Sequence, residues 1–230
     1  MNKVEFLLKK KDKEEKIKIN YNKLFAIGYS GRNTEKTMEH IKELEEELGV
    51  APPKRIPTIF QCSNIILTKD EEIQVIGNKT CGEAEYVIIK EGDRIYIGIG
   101  SDHTDRDLES VSVPKSKQTC PKPIGGIVWD YEDIKDHWDS IKIISYQKIN
   151  GEEIIYQDGY LADILPVDTI MKELDDRVGD IDNSIIFSGT VPALNGFKFG
   201  ENFKCEMIDE KLDRKIDLNY NIYTISEEER

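Results

Sequence analysis

Three carboxylates, Glu83, Glu85 and Asp102, have the spacing expected of a metal site on a β-hairpin. The chain between them contains Gly92-Asp93, a dipeptide typical of a two-residue hairpin turn, flanked by two runs of strand-forming residues. With this pair as the loop, Glu83 faces Asp102, and Glu85 points to the same side because strand side chains alternate between faces. Directly opposed Cβ atoms are about 4.5–5.5 Å apart, so these like charges repel one another.

A hard divalent cation held by carboxylate oxygens would remove this repulsion, and magnesium is the predicted ion, with manganese or calcium as alternatives. Gly98 and Gly100 fall on the same side of the hairpin, so we expect open space beside the acids. The alternative is a solvated acidic strand face, with Asp102 capping a helix that begins near Thr104. A register shift of one residue would also separate the three acids.

The elements that must position this hairpin predict an α+β fold on a strongly curved, mixed β-sheet, because hairpins outnumber parallel crossovers. Residues 1–30 are expected to form an N-terminal β-hairpin segment packed on a main domain of residues 31–230. The predicted strands cover 3–8, 16–27, 184–188, 202–208 and 215–224, with a further hairpin over 141–157 that turns at Asn150-Gly151. The predicted helices cover 35–48, 132–139 and 166–176.

Three local features add detail to this fold. The first long helix is expected to bury an apolar face made of Met38, Ile41, Leu44 and Leu48, and to end at Gly49. Thr104 and Asp107 have the spacing of a capping box. The proline-rich segment 117–123 is expected to be a loop.

Composition excludes several classes of function. The chain has 45 acidic and 32 basic side chains and a net charge of −13, which argues against nucleic acid or anionic lipid as a partner. No apolar run approaches the ~18–20 residues of a membrane span, so we expect a cytoplasmic protein without membrane contact. The four cysteines are irregularly spaced, which predicts reduced, buried thiols.

Four strings in this order resemble the fumarylacetoacetate hydrolase superfamily. They are Glu-x-Glu, Gly-Ser-Asp-His-Thr-Asp-Arg-Asp-Leu-Glu, Ser-Lys-Gln-Thr-Cys-Pro-Lys-Pro and Ile-Phe-Ser-Gly-Thr-Val-Pro-Ala, and the likeness runs from about Gly28 to Cys205. The match is with a prokaryotic branch catalogued as a domain of unknown function. The resemblance implies a roll or barrel of the superfamily's C-terminal catalytic-domain type, with a few peripheral helices, and a homodimer.

The resemblance also implies roles for individual residues. It assigns the metal to Glu83, Glu85 and Asp102, the same residues that the hairpin register brings together. Further implied residues are Arg106 and Lys117, which stabilise negative charge, and Thr190 with Gly189, which bind a substrate carboxylate; Glu109 stands at the substrate end in place of the family's glutamine. The alternative for each of these residues is an ordinary ion pair, a solvated side chain or a simple turn.

The general base is where this chain departs from the superfamily. Hydrolases of the superfamily use a His-x-x-Glu pair on the early helix to activate water, and the expected histidine position is Thr37 here. His40 with Glu43 lies one turn later and is the tentative base, against the alternative of a surface histidine. His103 either contacts the site or packs on the opposite face of its strand, which alternation favours.

The resemblance implies a metal-dependent enzyme that acts on a small 2-oxo or enol carboxylic acid. Carbon–carbon bond hydrolysis, decarboxylation and tautomerisation share an enolate, so the sequence does not choose among them. A binding protein that kept the scaffold but lost the base is the alternative. A third reading makes the acidic trio incidental to a purely structural protein.

Overall fold

The computed structural model describes residues 1–48 and 51–228, without the side chains of residues 40, 43, 44, 47 and 48. The strands are β1 (Asn2–Lys9), β2 (Glu14–Tyr21), β3 (Lys23–Gly28), β4 (Thr58–Cys62), β5 (Leu67–Thr68), β6 (Glu72–Ile76), β7 (Thr80–Cys81), β8 (Ala84–Glu91), β9 (Arg94–Ser101), β10 (Thr104–Asp105), β11 (Lys122–Pro123), β12 (Ile127–Asp130), β13 (Lys142–Ile149), β14 (Glu152–Tyr160), β15 (Ser184–Phe187), β16 (Asn202–Asp209) and β17 (Arg214–Ile225). The helices are α1 (Thr34–Leu48), α2 (Arg106–Glu109), α3 (Val113–Thr119), α4 (Tyr131–Ile134) and α5 (Val167–Val178), with short 3₁₀ segments at Asn64–Ile66, Lys135–Ser140 and Leu161–Asp163.

The larger sheet has eight strands in the order β2-β1-β12-β9-β8-β15-β3-β4. It is mixed, because β1 runs parallel to β12 and β3 runs parallel to β15, while the other pairs are antiparallel. Its two edges approach each other: the hydroxyl of Tyr21, at the end of β2, donates to the carbonyl of Asn64, just after β4, at 3.4 Å. The sheet is therefore strongly curved, as the sequence predicts.

A second sheet of five strands, in the order β14-β13-β16-β17-β6, lies over the outer face of the first. The main core fills the space between them. It joins Tyr86 and Ile99 of the larger sheet to Phe203 and Tyr220 of the smaller one, and Leu174 of α5 belongs to the same cluster. This core holds the β8–β9 hairpin from one side.

The predicted hairpin register is confirmed. Glu85 pairs with Gly100 and Ala84 with Ser101, on either side of the Gly92-Asp93 turn. The predicted strand 16–27 is instead two strands, because the β-structure is interrupted at Asn22. The first half pairs with β1, whereas the second pairs with β15 and β4 at the other end of the curled sheet.

The first long helix buries less of its predicted apolar face than expected. Ile41 is buried, but Met38 is 52% exposed, so that part of the prediction is wrong. The side chains of Leu44 and Leu48 and the predicted end at Gly49 lie outside the described residues.

The cap after the hairpin also differs from the prediction. The N–H of Leu108 donates to Asp105 Oδ1 at 2.9 Å, so Asp105, rather than Thr104, caps α2. Thr104 is occupied in a strand pair with Cys81, and its hydroxyl donates to the carbonyl of Asp102.

The segment predicted as a loop over 117–123 begins inside helix α3, because Pro114 can occupy the first turn of a helix, where its missing N–H is not needed. All four cysteines are buried free thiols, as predicted. Among the helices of the described ranges, none is both long and apolar enough to cross a membrane.

Candidate active site

The three acidic residues meet at the open end of the β8–β9 hairpin. Glu83 immediately precedes β8, Glu85 is its second residue, and Asp102 immediately follows β9. The N–H of Asp102 donates to the carbonyl of Glu83 at 3.1 Å, which continues the strand register. One ligand atom from each carboxylate lies within 4.8 Å of the others.

Two of the carboxylates are removed from solvent, with Glu85 1% and Asp102 0% exposed, whereas Glu83 is partly exposed. Burial raises the pKa of Glu85 well above its ordinary value, and the adjacent charges of Asp102 and Glu83 raise it further. Burial opposes ionisation of Asp102 as well, but the ammonium groups of Lys117 and Lys122 outweigh it and lower the pKa of Asp102 to about 2. Glu85 is therefore the member of the trio whose charge is least compensated by these side chains.

Two lysines neutralise Asp102 from opposite sides. Lys117 of α3 places its Nζ 2.5 Å from Asp102 Oδ2 and 3.3 Å from Glu83 Oε2. Lys122 of β11 lies with its Nζ 3.2 Å from Asp102 Oδ1 and also donates to the carbonyls of His103 and Lys117. Sequence reasoning did not select Lys122, although it stands in the same Ser-Lys-Gln-Thr-Cys-Pro-Lys-Pro string as Lys117.

Arg106 joins Glu83 of the acidic trio to a fourth carboxylate. Its Nη2 lies 3.0 Å from Glu83 Oε1, and its Nη1 donates to Glu109 Oε2 at 2.9 Å. The guanidinium carbon lies 4.2 Å from the ring centroid of Phe197. Glu109, a predicted substrate contact, thus holds the orientation of Arg106.

The Ser188-Gly189-Thr190 turn lies against Glu85, but its polar groups are used within the chain. The N–H of Gly189 donates to Glu85 Oε2 at 2.9 Å, and the hydroxyl of Thr190 donates to the carbonyl of Ala84 at 2.7 Å. Gln157 donates to the same Thr190 oxygen at 2.6 Å. In this arrangement Gly189 and Thr190 both stabilise the start of β8, the strand that carries Glu85.

The space expected at Gly100 itself is filled by side chains. A Cβ on Gly100 would lie 2.6 Å from Phe187 Cε1 and 2.7 Å from Val87 Cγ2. The glycine is required for the close packing of these side chains against the hairpin, so the expected gap at this position was wrong.

His103 packs away from the carboxylates, as strand alternation favours. The ring is fully buried, and its nitrogens lie 2.9 Å from the hydroxyls of Tyr220 and Thr80. Burial, together with Lys122 and Arg106, lowers the pKa of His103 to about 3, so the ring is neutral at physiological pH.

The side chains of the predicted general base lie outside the described residues, but the position where a histidine is expected is described. Thr37, at the position where a histidine is expected, is buried, and its hydroxyl donates to the carbonyl of Asn33 at 3.0 Å, with the carbonyl oxygen of Gly31 at 3.3 Å. His40 and Glu43 belong to α1, but their side chains lie outside the described residues.

A cavity of about 1050 Å³ opens beside this cluster. The site residues that line it are Glu83, Glu85, Arg106, Glu109, Lys117, Gly189 and Thr190, and Thr37 lies on its wall. Apolar groups complete the lining, among them Phe60 and Phe197. The cavity brings acids, cations and apolar surface together around a space large enough for a small organic acid.

Solved structures share this architecture at low sequence identity. A 2-keto-3-deoxy-D-arabinonate dehydratase, described in complex with magnesium and 2,5-dioxopentanoate, is 18% identical with a TM-score of 0.61, covering 91% of this chain and 75% of that one. Cg1458 is 16% identical with a TM-score of 0.65, covering 90% and 78%. A 4-oxalocrotonate decarboxylase from Pseudomonas putida G7, described in complex with calcium and acetate, is 15% identical with a TM-score of 0.55, covering 90% and 78%.

No curated protein sequence matches the chain significantly. A family model described as "Protein of unknown function (DUF2848)" matches residues 27–220, a range that contains every candidate site residue. The fold is the curved half-barrel of the fumarylacetoacetate hydrolase-like structures. The chain therefore belongs to the DUF2848 family of proteins of unknown function.

Proposed function

We propose that this protein is a divalent-metal-dependent enzyme acting on a small 2-oxo or enol carboxylic acid. The observation that carries the proposal is the convergence of Glu83, Glu85 and Asp102, beside Lys117 and Arg106, at a cavity of about 1050 Å³. Two structures of the same fold, described with magnesium and 2,5-dioxopentanoate and with calcium and acetate, support this choice of ligand classes.

The carboxylate trio fits a hard divalent cation. All three donors are carboxylates, which suit magnesium, manganese or calcium, and magnesium is the proposed ion. The raised pKa of Glu85 means that this buried group lacks sufficient positive charge nearby to ionise easily. When bound, the cation would polarise the ketone and carboxylate oxygens of a 2-oxo acid and stabilise an enolate.

Lys117 and Arg106 supply the remaining positive charge. Burial opposes protonation of Lys117, but Asp102 and Glu83 outweigh it and raise the pKa of the ammonium well above its ordinary value. Lys117 therefore stays charged and can stabilise an oxyanion that develops in the cavity. Glu109 and Phe197 hold the Arg106 guanidinium in a fixed orientation for the same purpose.

Among the candidate reactions, decarboxylation makes the smallest demand on this site. Hydrolysis needs a base to activate water, and the Thr37 hydroxyl is neutral and bonded to backbone carbonyls. Decarboxylation needs an electron sink in a 2-oxo acid that carries a second carboxylate on the carbon next to the ketone, as oxaloacetate does. The electrons of the bond to that second carboxylate move to the ketone oxygen, carbon dioxide leaves, and the enolate is then protonated. His40 and Glu43 remain the proposed base for a hydrolytic reaction.

A non-catalytic metal and carboxylate-binding protein is the second candidate, and the threonine at position 37 favours it. This alternative predicts that 2-oxo acids raise the melting temperature without being consumed.

We also propose a homodimer and a cytoplasmic location, both of which rest on the sequence analysis. The division at residue 30 likewise remains a prediction.

The experiment that tests the function combines metal analysis with a substrate screen. The purified protein is freed of metal, reloaded with magnesium or manganese, and incubated with oxaloacetate, acylpyruvates and related 2-oxo acids. Carbon dioxide release or loss of the 2-oxo acid supports the enzyme. Binding without turnover supports the second candidate. A protein that neither retains metal nor turns over any of these acids contradicts both candidates.

A further inference from the structure

We propose that the hydroxyl of Ser30 binds a carboxylate oxygen of the substrate, an assignment that rests on the proposed function. Ser30 lines the cavity and is 3% exposed. Its Oγ has no hydrogen-bond partner among the described residues. Because a buried hydroxyl without a partner is unfavourable, an oxygen within the cavity is the natural acceptor.

The hydroxyl lies next to the carboxylate trio. A Cβ on Gly189 would lie 1.9 Å from Ser30 Oγ, so the hydroxyl sits directly against the α-carbon of this glycine. The N–H of Gly189 in turn donates to Glu85. A ligand oxygen that accepts from Ser30 would therefore lie close to a carboxylate of the proposed metal site.

The neighbouring donors of the Ser188-Gly189-Thr190 turn are already used. The N–H of Gly189 donates to Glu85, the hydroxyl of Thr190 donates to Ala84, and the hydroxyl of Ser188 donates to the carbonyl of Gly189. Ser30 contrasts with all three, since its hydroxyl is uncommitted within the described chain. The structure thus favours Ser30 over Thr190 as the side chain that meets the substrate.

The backbone holds Ser30 in place. The N–H of Leu165 donates to the carbonyl of Ser30 at 2.8 Å, and Gly31 forms a bridge with Ile164. The preceding residue, Tyr29, has a φ of 53°, a left-handed conformation that is uncommon for a side chain of this size. These contacts fix the backbone of Ser30 before a ligand arrives, so binding would order little additional backbone structure.

The test measures ligand binding by the full chain with magnesium. Isothermal calorimetry is performed with pyruvate, 2-oxobutanoate and 2-oxoglutarate on wild type, Ser30→Ala and Ser184→Ala. Ser184 is the matched control, because its buried hydroxyl also has no partner among the described residues but does not line the cavity.

We expect Ser30→Ala to weaken binding of the best ligand about tenfold, as for loss of a hydrogen bond to a charged group. Magnesium affinity should not change, and the ligand-free melting temperature should equal or exceed that of wild type, because no protein hydrogen bond is lost. Ser184→Ala should leave ligand and magnesium affinity unchanged.

Three results overturn the assignment. Equal ligand affinity in wild type and Ser30→Ala means that the hydroxyl meets only water, and the proposed function survives. Weaker binding together with a lower ligand-free melting temperature in Ser30→Ala indicates a structural role. Failure of the wild type to bind magnesium or any of the three acids removes the proposed function, and this assignment with it.

Discussion

Lys117 and Asp102 form a direct ion pair, with 2.5 Å between Nζ and Oδ2, although Lys117 lies in helix α3 and Asp102 follows strand β9. The same ammonium lies 3.3 Å from Glu83 Oε2, so it neutralises two of the three proposed metal ligands. Lys117 therefore has two consequences in this account. Under the proposed function it would stabilise negative charge during the reaction, and it would compete electrostatically with a cation for the carboxylates.

Replacing Lys117 with methionine separates these two effects. We expect Lys117→Met to lower turnover of the 2-oxo acid by about 100-fold or more, since a positive charge at the reacting centre is lost. Metal affinity should rise, because the competing ammonium is gone. Steady-state kinetics and metal titration measure the two changes.

Lys115→Met is the control for this variant, because Lys115 is exposed on the same helix and should alter neither quantity. Unchanged turnover in Lys117→Met would contradict the proposed role.

Replacing Glu85 with glutamine should have different effects on the melting temperature in the absence and in the presence of metal. Glu85→Gln removes a buried charge that Asp102 and Glu83 repel, so the metal-free protein should melt at the same temperature as wild type or higher. The rise in melting temperature on adding magnesium should largely disappear. Glu72→Gln, at an exposed position of β6, should preserve that rise; a full magnesium response in Glu85→Gln would exclude it as a ligand.

The raised pKa of Glu85 also predicts a pH dependence. The folded protein holds this proton more tightly than the unfolded chain, whose glutamate titrates near 4.5. The stability that Glu85 contributes is thus complete below pH 4.5 and is lost as the pH rises through the folded-state pKa. Urea unfolding of the metal-free protein should show a fall in unfolding free energy across this pH range in wild type and a smaller fall in Glu85→Gln. Parallel plots of unfolding free energy against pH for the two proteins would contradict a raised pKa of Glu85.

Thr190 should affect stability more than substrate binding. Its hydroxyl donates to Ala84 and accepts from Gln157, so Thr190→Val leaves the buried Ala84 carbonyl and one N–H of Gln157 without these partners. The substitution should cost about 1–3 kcal/mol of unfolding free energy. Thr224→Val, on the exposed part of β17, should cost much less. A Thr190→Val protein with wild-type stability but weakened ligand binding would instead support direct contact with the substrate.

The hairpin and its acids could be predicted because local rules determine them. A two-residue turn at Gly92-Asp93 fixes the register, and the two-residue period of a strand then determines which side chains meet. Glu83, Glu85 and Asp102 needed no knowledge of the rest of the chain. The curved mixed sheet followed from the balance of hairpins and helices.

Other features depend on contacts between distant segments and could not be derived in this way. Lys122 reaches Asp102 only because β11 passes beside the hairpin end, and the break at Asn22 reflects the closure of the curled sheet. The space at Gly100 is filled by Phe187 from a strand that follows much later in the chain. Ser30 gives no signal in the sequence, because its missing hydrogen bond is a property of the folded wall.

The most direct test of the central claim is the anomalous diffraction of crystals grown with manganese. The account predicts a single strong peak at the open end of the β8–β9 hairpin, bonded to oxygens of Glu83, Glu85 and Asp102. Well-ordered crystals with no peak among these three side chains, or with the ion held by other residues, would contradict it.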